Sequence, residues 1–179
     1  MNDLIVLAHL LPEPQHGYAL KKQVGLVTGR GEMHNNLIYP LLRRFEKNGW
    51  IKRRSTAGQR GQTREVYALT RKGKEELLWR LSHYGAKEAA SENEFRLRVG
   101  LFAILDSETR ERILDQREEW LLARQWRVGS MVHAVKADYW GSAVMNCLLE
   151  QIRAERRWID VLHRRLDREK AARGGGRMP

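Results

Sequence analysis

The chain has 179 residues, 42% of them hydrophobic, with six tryptophans and a formal net charge of +11; that is enough apolar side chain for one large or two small globular domains. A single cysteine, Cys147, excludes an intrachain disulfide framework and a multi-cysteine zinc site, which fits a reducing, cytoplasmic setting. The opening MNDLIVLAHLLPEP has no basic flank and its apolar run stops at Pro12, so it reads as neither a secretory leader nor a membrane span.

Leu4, Leu7, Leu10 and Leu11 recur at helical spacing behind Asn2, which can act as an N-cap, and Pro12 and Pro14 end the run, predicting a helix over 3–11. Tyr18, Leu20, Lys21, Val24 and Val27 continue a second pattern that Gly29 and Gly31 break, predicting a helix over about 16–28. Leu37, Leu41, Leu42 and Phe45 carry a third over about 35–48, stopped by Asn48 and Gly49. The pattern then switches to alternation in WIKRR and again in TREVYALT, with a Gly-, Gln- and Ser-containing loop between them, which predicts a two-stranded β-hairpin. Thr70 is placed to cap a helix through RKGKEELLWRLSHY, with Leu77, Leu78, Leu81 and Tyr84 on one side. Three helices, a basic hairpin and a return helix make a winged helix-turn-helix, expected over residues 1–90.

Residues 91–170 read as a second, helical domain, with breaks near Asp106 and Ser107 and between Gly129 and Gly141. One helix is expected over about 108–128 and a long one over 140–170. In the long helix Met145, Leu148, Ile152, Glu155, Ile159, Leu162 and Leu166 alternate spacings of three and four, a heptad seam with one polar member. At 1.5 Å per residue the helix reaches roughly 45 Å, which calls for a partner helix, most simply its copy in a homodimer. Residues 171–179 read as a disordered tail. The expected fold is mainly α: a winged N-terminal domain and a coiled-coil-like dimerisation domain.

The positive charge is concentrated. Between Arg30 and Lys72 stand eight Arg and three Lys against three Glu, a net +8, whereas residues 91–163 carry eleven basic and twelve acidic side chains. Such a patch is the footprint of a polyanion, because each cation that meets a phosphate releases condensed counterions. Double-stranded DNA leads as the partner, and a membrane surface is the rival. In a winged helix-turn-helix the third helix enters the major groove and the hairpin follows the backbone or minor groove. His34, Asn35 and Asn36 then face base edges, and Asn can bond adenine through two hydrogen bonds. Arg43, Arg44 and Lys47 reach phosphate or guanine, unless they simply form a solvated helix face. Lys21 and Lys22 extend the surface on helix two. Arg53, Arg54, Arg60, Gln62 and Arg64 decorate the hairpin, whose Gly58 and Gly61 permit close approach to a groove.

HGYALKKQV at His16–Val24, LIYPLLRRFEKNGWIKRR at Leu37–Arg54 and REVYALTRKGKEEL at Arg64–Leu77 resemble the PadR family of bacterial transcriptional regulators. The likeness covers residues 3 to about 85; the C-terminal half is similar in length and helical character. It implies a dimeric regulator, usually a repressor, bound to a palindromic operator. It also places Tyr18 and Tyr39 near the DNA backbone, where a hydroxyl can donate to phosphate, although these rings can equally fill the gap between helices two and three. Pro40, inside helix three, is shared with the family. The family's Ser-Pro start to that helix is replaced here by MHNN, so Asn35 or Asn36 takes over the cap. Some PadR-like proteins bind flat aromatic compounds, which makes Trp120, Trp126 and Trp140 candidates for a small aromatic effector site, against their use as core.

The six histidines offer no pair on one helix face and Cys147 has no neighbouring base, so no metal site, cofactor or enzymatic activity is expected. Two alternatives stay open: a non-specific, nucleoid-type nucleic-acid binder, and an adaptor dimer that does not bind DNA.

Overall fold

In the computed structural model, which describes residues 2–28, 35–57, 63–134 and 138–174, the chain opens with α1 (Asn2–His9). Leu4, Ile5, Val6 and Leu7 are all buried, so the helix is enclosed on every side, with α2 (Gly17–Thr28) and α4 (Arg71–Ser82) packed against it. It stops at His9, short of the expected Leu11. Leu10 and Leu11 form a turn through amide bonds to the carbonyls of Val6, Leu7 and Ala8.

Gln15 and His16 form a short strand β1 at the expected start of helix two. It pairs antiparallel with β3 (Thr63–Leu69), Gln15 opposite Tyr67 and His16 opposite Val66. The other edge of β3 pairs with β2 (Ile51–Ala57), with Arg53 opposite Tyr67 and Arg54 opposite Val66. The expected two-stranded wing therefore belongs to a three-stranded sheet in the order β1-β3-β2. Pairing of β1 satisfies backbone groups that β3 would otherwise leave open along its edge.

Helix α3 (Asn35–Lys47) ends where its sequence indicates. Gly49 adopts φ +72°, its N–H bonds to the Glu46 carbonyl, and the N–H of Trp50 bonds to that of Phe45. These two bonds are the Schellman arrangement, and the hydrophobic contact that accompanies it is present: the Phe45 and Trp50 rings lie 5.3 Å apart. Inside the unit α3 buries Ile38, Leu42 and Phe45. Leu37, expected on that stripe, is instead 55% exposed, because the spacing of four and three that faces the core begins one residue later. Thr70 caps α4 as anticipated, its Oγ1 accepting from the Gly73 amide at 3.0 Å. Together these elements are a winged helix-turn-helix.

A division between His83 and Tyr84 separates this unit from a second, helical one, whereas the expected boundary lay at 90. The second unit contains α5 (Ala86–Ala89), α6 (Glu92–Gly100), a 3₁₀ turn (Phe102–Ile104), α7 (Ser107–Ala134) and α8 (Tyr139–Gly174). Asp106 begins α7 by accepting from the amide and hydroxyl of Thr109 at 2.8 and 2.9 Å, and these bonds hold its carboxyl below the usual Asp range. Asp138 caps α8 in the same manner. Neither Gly129 nor Gly141 breaks a helix. Ala171–Gly174, expected in the disordered tail, continue α8, and 175–179 lie outside the described residues.

Helices α7 and α8 run antiparallel and pack along one another, as pairs linking Glu111 to Lys170, Glu118 to Arg156 and Asp115 to His163 record. Within the unit, α8 buries Ile152, Ile159 and Leu166 and α7 buries Leu114, Leu121 and Val128. The partner that the length of α8 calls for is supplied, at least in part, within the same chain by α7. At the centre Arg117, 1% exposed, meets Glu155 through two bonds of 2.8 and 2.9 Å and also donates to the Ala89 carbonyl. Its guanidinium lies over the rings of Phe95 and Trp120. Among the described residues no helix is long and apolar enough to cross a membrane.

Candidate nucleic-acid interface

Helical periodicity divides α3 into three strips. Ile38, Leu42 and Phe45 face the core, while Asn36, Leu37, Pro40, Arg43, Arg44 and Lys47 are exposed. Tyr39 and Glu46 occupy the flank toward the sheet, where Tyr39 approaches Gly17. The two arginines have different surroundings. Arg44 bonds Asp3 of α1 at 2.5 Å, the same carboxylate oxygen that receives Arg80 of α4 at 3.2 Å, so Arg44 belongs to a strap across three helices. Arg43 and Lys47 have no ion pair among the described residues.

The wing divides by strand alternation, since successive side chains point to opposite faces. Ile51, Arg53 and Ser55, with cross-strand partners Leu69, Tyr67 and Glu65, share one face; Lys52, Arg54 and Thr56, with Ala68, Val66 and Arg64, share the other. Arg53 lies 3.3 Å from Glu46 and 3.6 Å from Glu65. Lys52, Arg54 and Arg64 are exposed with no ion pair among the described residues. Alternation is visible in the sequence and by itself sets Arg53 and Arg54 on opposite faces, although their charge is the same.

His16, Gly17, Tyr18, Tyr39, Arg64, Glu65 and Tyr67 line an open cavity of about 490 Å³ where α2, α3 and the sheet converge. A Cβ on Gly17 would stand 3.2 Å from the Tyr67 ring and 3.4 Å from that of Tyr39, so glycine lets the rings close over the start of α2. Burial raises the Tyr67 hydroxyl pKa, Arg53 opposes that and Glu65 reinforces it. Tyr18 is 65% exposed at the rim. Lys22 is exposed and Lys21 half-buried. Leu37 joins this surface without having been anticipated as part of it. His34, Arg60, Gln62, Gly58 and Gly61 lie outside the described residues, as does the side chain of Asn35, whose backbone begins α3.

Of the seam, Ile152, Ile159 and Leu166 are buried within the unit, Met145, Leu148 and Leu162 are half-buried, and Glu155 pairs with Arg117. The three candidate effector tryptophans are not gathered together. Trp120 lies under the guanidinium groups of Arg117 and Arg124, and Trp126 and Trp140 are each 76% exposed. An open cleft of about 850 Å³ between α6, α7 and α8 is lined instead by Val99, Leu121, Leu148, Ile152 and Trp158, with Arg96 and Arg124 among its polar residues. No group of three potential metal ligands occurs among the described residues.

Residues 6–78 match the model of the transcriptional regulator PadR-like family. Among curated proteins none matches. Solved structures that resemble the chain include Bacillus subtilis PadR in complex with operator DNA, at 18% identity over 92% of this chain and 98% of that one, TM-score 0.45. A PadR family transcriptional regulator from Eggerthella lenta is 33% identical over 42% of this chain and 63% of its own, TM-score 0.36. A transcriptional regulator from Clostridium thermocellum is 26% identical over 44% and 76%, TM-score 0.39. Residues 6–78, which hold the exposed face of α3 and the strands of the wing, are thus the part of this chain that is similar to the PadR-like family of transcriptional regulators.

Proposed function

We propose that this protein is a sequence-specific repressor that binds a palindromic operator in double-stranded DNA as a homodimer. The observation that carries the reading is the set of exposed cations without ion pairs among the described residues, Arg43 and Lys47 on α3 with Lys52, Arg54 and Arg64 on one face of the wing. Asn36, at the start of α3, is suited to adenine and Leu37 to a thymine methyl group. Arg43, Lys47, Arg54 and Arg64 supply phosphate contacts, and the hydroxyls of Tyr18 and Tyr39 donate to the same backbone. Dimerisation is supported by the large apolar side chains that α7 and α8 leave exposed, among them Leu122, Trp126, Trp140, Val144 and Val161. For a small aromatic effector the cleft beside Trp158 is a better candidate than Trp120, Trp126 and Trp140, since it offers an apolar lining with cations at hand.

Selection of bound duplexes from random-sequence DNA tests the reading. Enrichment of an inverted repeat is the expected result. An even pool that is still retained at low salt would indicate a non-specific binder, and no retention at all would leave an adaptor dimer.

A further inference from the structure

Arg53 differs from Lys52, Arg54 and Arg64, the other described wing cations, in what surrounds it. It reaches a carboxylate of the recognition helix, Glu46 in the last turn of α3, and one of the opposite strand, Glu65 on β3. Glu65 is itself held in place: Ser55 donates to its Oε1 at 2.8 Å, and its buried Oε2 has no hydrogen-bond partner among the described residues. Arg53 is thus the cation beside that oxygen. The three side chains sum to −1 and link three elements, whereas Arg54, one residue on, points to the opposite face. All three are partly exposed, so the cluster adds little to stability; its effect is geometric.

We propose that Arg53 is a positioning residue and not a phosphate contact: gripped by Glu46 and Glu65, it fixes the wing against the recognition helix. This rests on the DNA-binding reading above. A specific complex needs base contacts from α3 and backbone contacts from the wing at one fixed relative placement, while non-specific association through charge does not. Glu46, Arg53 and Glu65 therefore set how well the protein discriminates between sequences.

The test titrates salt against two duplexes of equal length, the best sequence from the selection and a random one, using the full chain. On the random duplex Arg54→Ala should flatten the slope of log affinity against log salt by about 0.9, one lost phosphate contact. Arg53→Ala should leave that slope at the wild-type value and lower the selected-to-random affinity ratio by about tenfold, as loss of a coupled contact does. Glu46→Gln/Glu65→Gln, which frees Arg53 without removing it, should lower the same ratio as Arg53→Ala does; it decides the matter if Arg53→Ala does not fold. Flattening by Arg53→Ala equal to that by Arg54→Ala would overturn the proposal, as would an unchanged ratio. Wild-type protein that binds neither duplex at low salt would remove the DNA-binding reading itself, a result separate from any comparison of slopes.

Discussion

Gly49 and Gly73 stand at the two ends of the wing strands and answer to different constraints. Gly49 needs a positive φ to terminate α3, and its place after a fading helical pattern made that legible. Gly73 needs space. A Cβ there would fall 1.9 Å from the carbonyl oxygen of Trp50, the same oxygen that accepts from the Thr70 amide and hydroxyl. Nothing in the local sequence of α4 announces this, because the obstructing atom belongs to a residue before β2. Gly73→Ala should destabilise the chain by about 3 kcal/mol, against about 1 kcal/mol for Gly49→Ala. Urea denaturation of both variants checks the order, and a wild-type midpoint for Gly73→Ala would contradict the close approach.

At the scale of elements, α7 and α8 show why a heptad pattern does not identify its partner. Leu114, Arg117, Leu121, Arg124 and Val128 on α7 follow the same alternating spacing as the seam on α8, and the antiparallel pairing sets Arg117 against Glu155. The single polar member of the seam was visible in the sequence; its counterion, 38 residues away, was not. Removing one partner of a buried pair leaves the other uncompensated, so Arg117→Ala should cost about 3–5 kcal/mol. Arg117→Met/Glu155→Leu should recover most of that loss, because both charges go together and the volume is kept. Thermal unfolding of the two variants distinguishes them; equal losses would mean that Arg117 acts through its bond to Ala89 and its aromatic neighbours instead. Gly129 and Gly141 belong to the same lesson. Each costs its helix about 1 kcal/mol relative to Ala, which packing along a neighbouring helix can offset.

For the whole molecule, the exposed Trp126, Trp140 and Val144 motivate a prediction about assembly. Wild-type protein should sediment as a dimer at micromolar concentration, and replacing these three residues by Ser should shift it toward monomer. The same variant should bind an inverted repeat no better than a half-site. A monomeric wild type would defeat the homodimer proposal and leave the winged unit's similarity to the PadR-like family standing.

What the sequence by itself determined was local or periodic. The C-terminal end of α3 and the start of α4 followed from Gly49 and Thr70, the wing from alternation, and the placing of the cationic patch on α3 and the hairpin from counting charges between Arg30 and Lys72. Such features depend on a residue's own backbone preferences and its near neighbours, which the chain states directly. Tertiary structure decided what depends on distant partners: that β1 closes the edge of β3, that Ile38 and not Leu37 turns inward, and that α7 covers much of the seam on α8. It also separated the cations by their surroundings, with Arg44 tied to Asp3 and Arg53 held between Glu46 and Glu65. An arginine has the same charge in every sequence; whether it faces solvent or a carboxylate is fixed only when the elements pack.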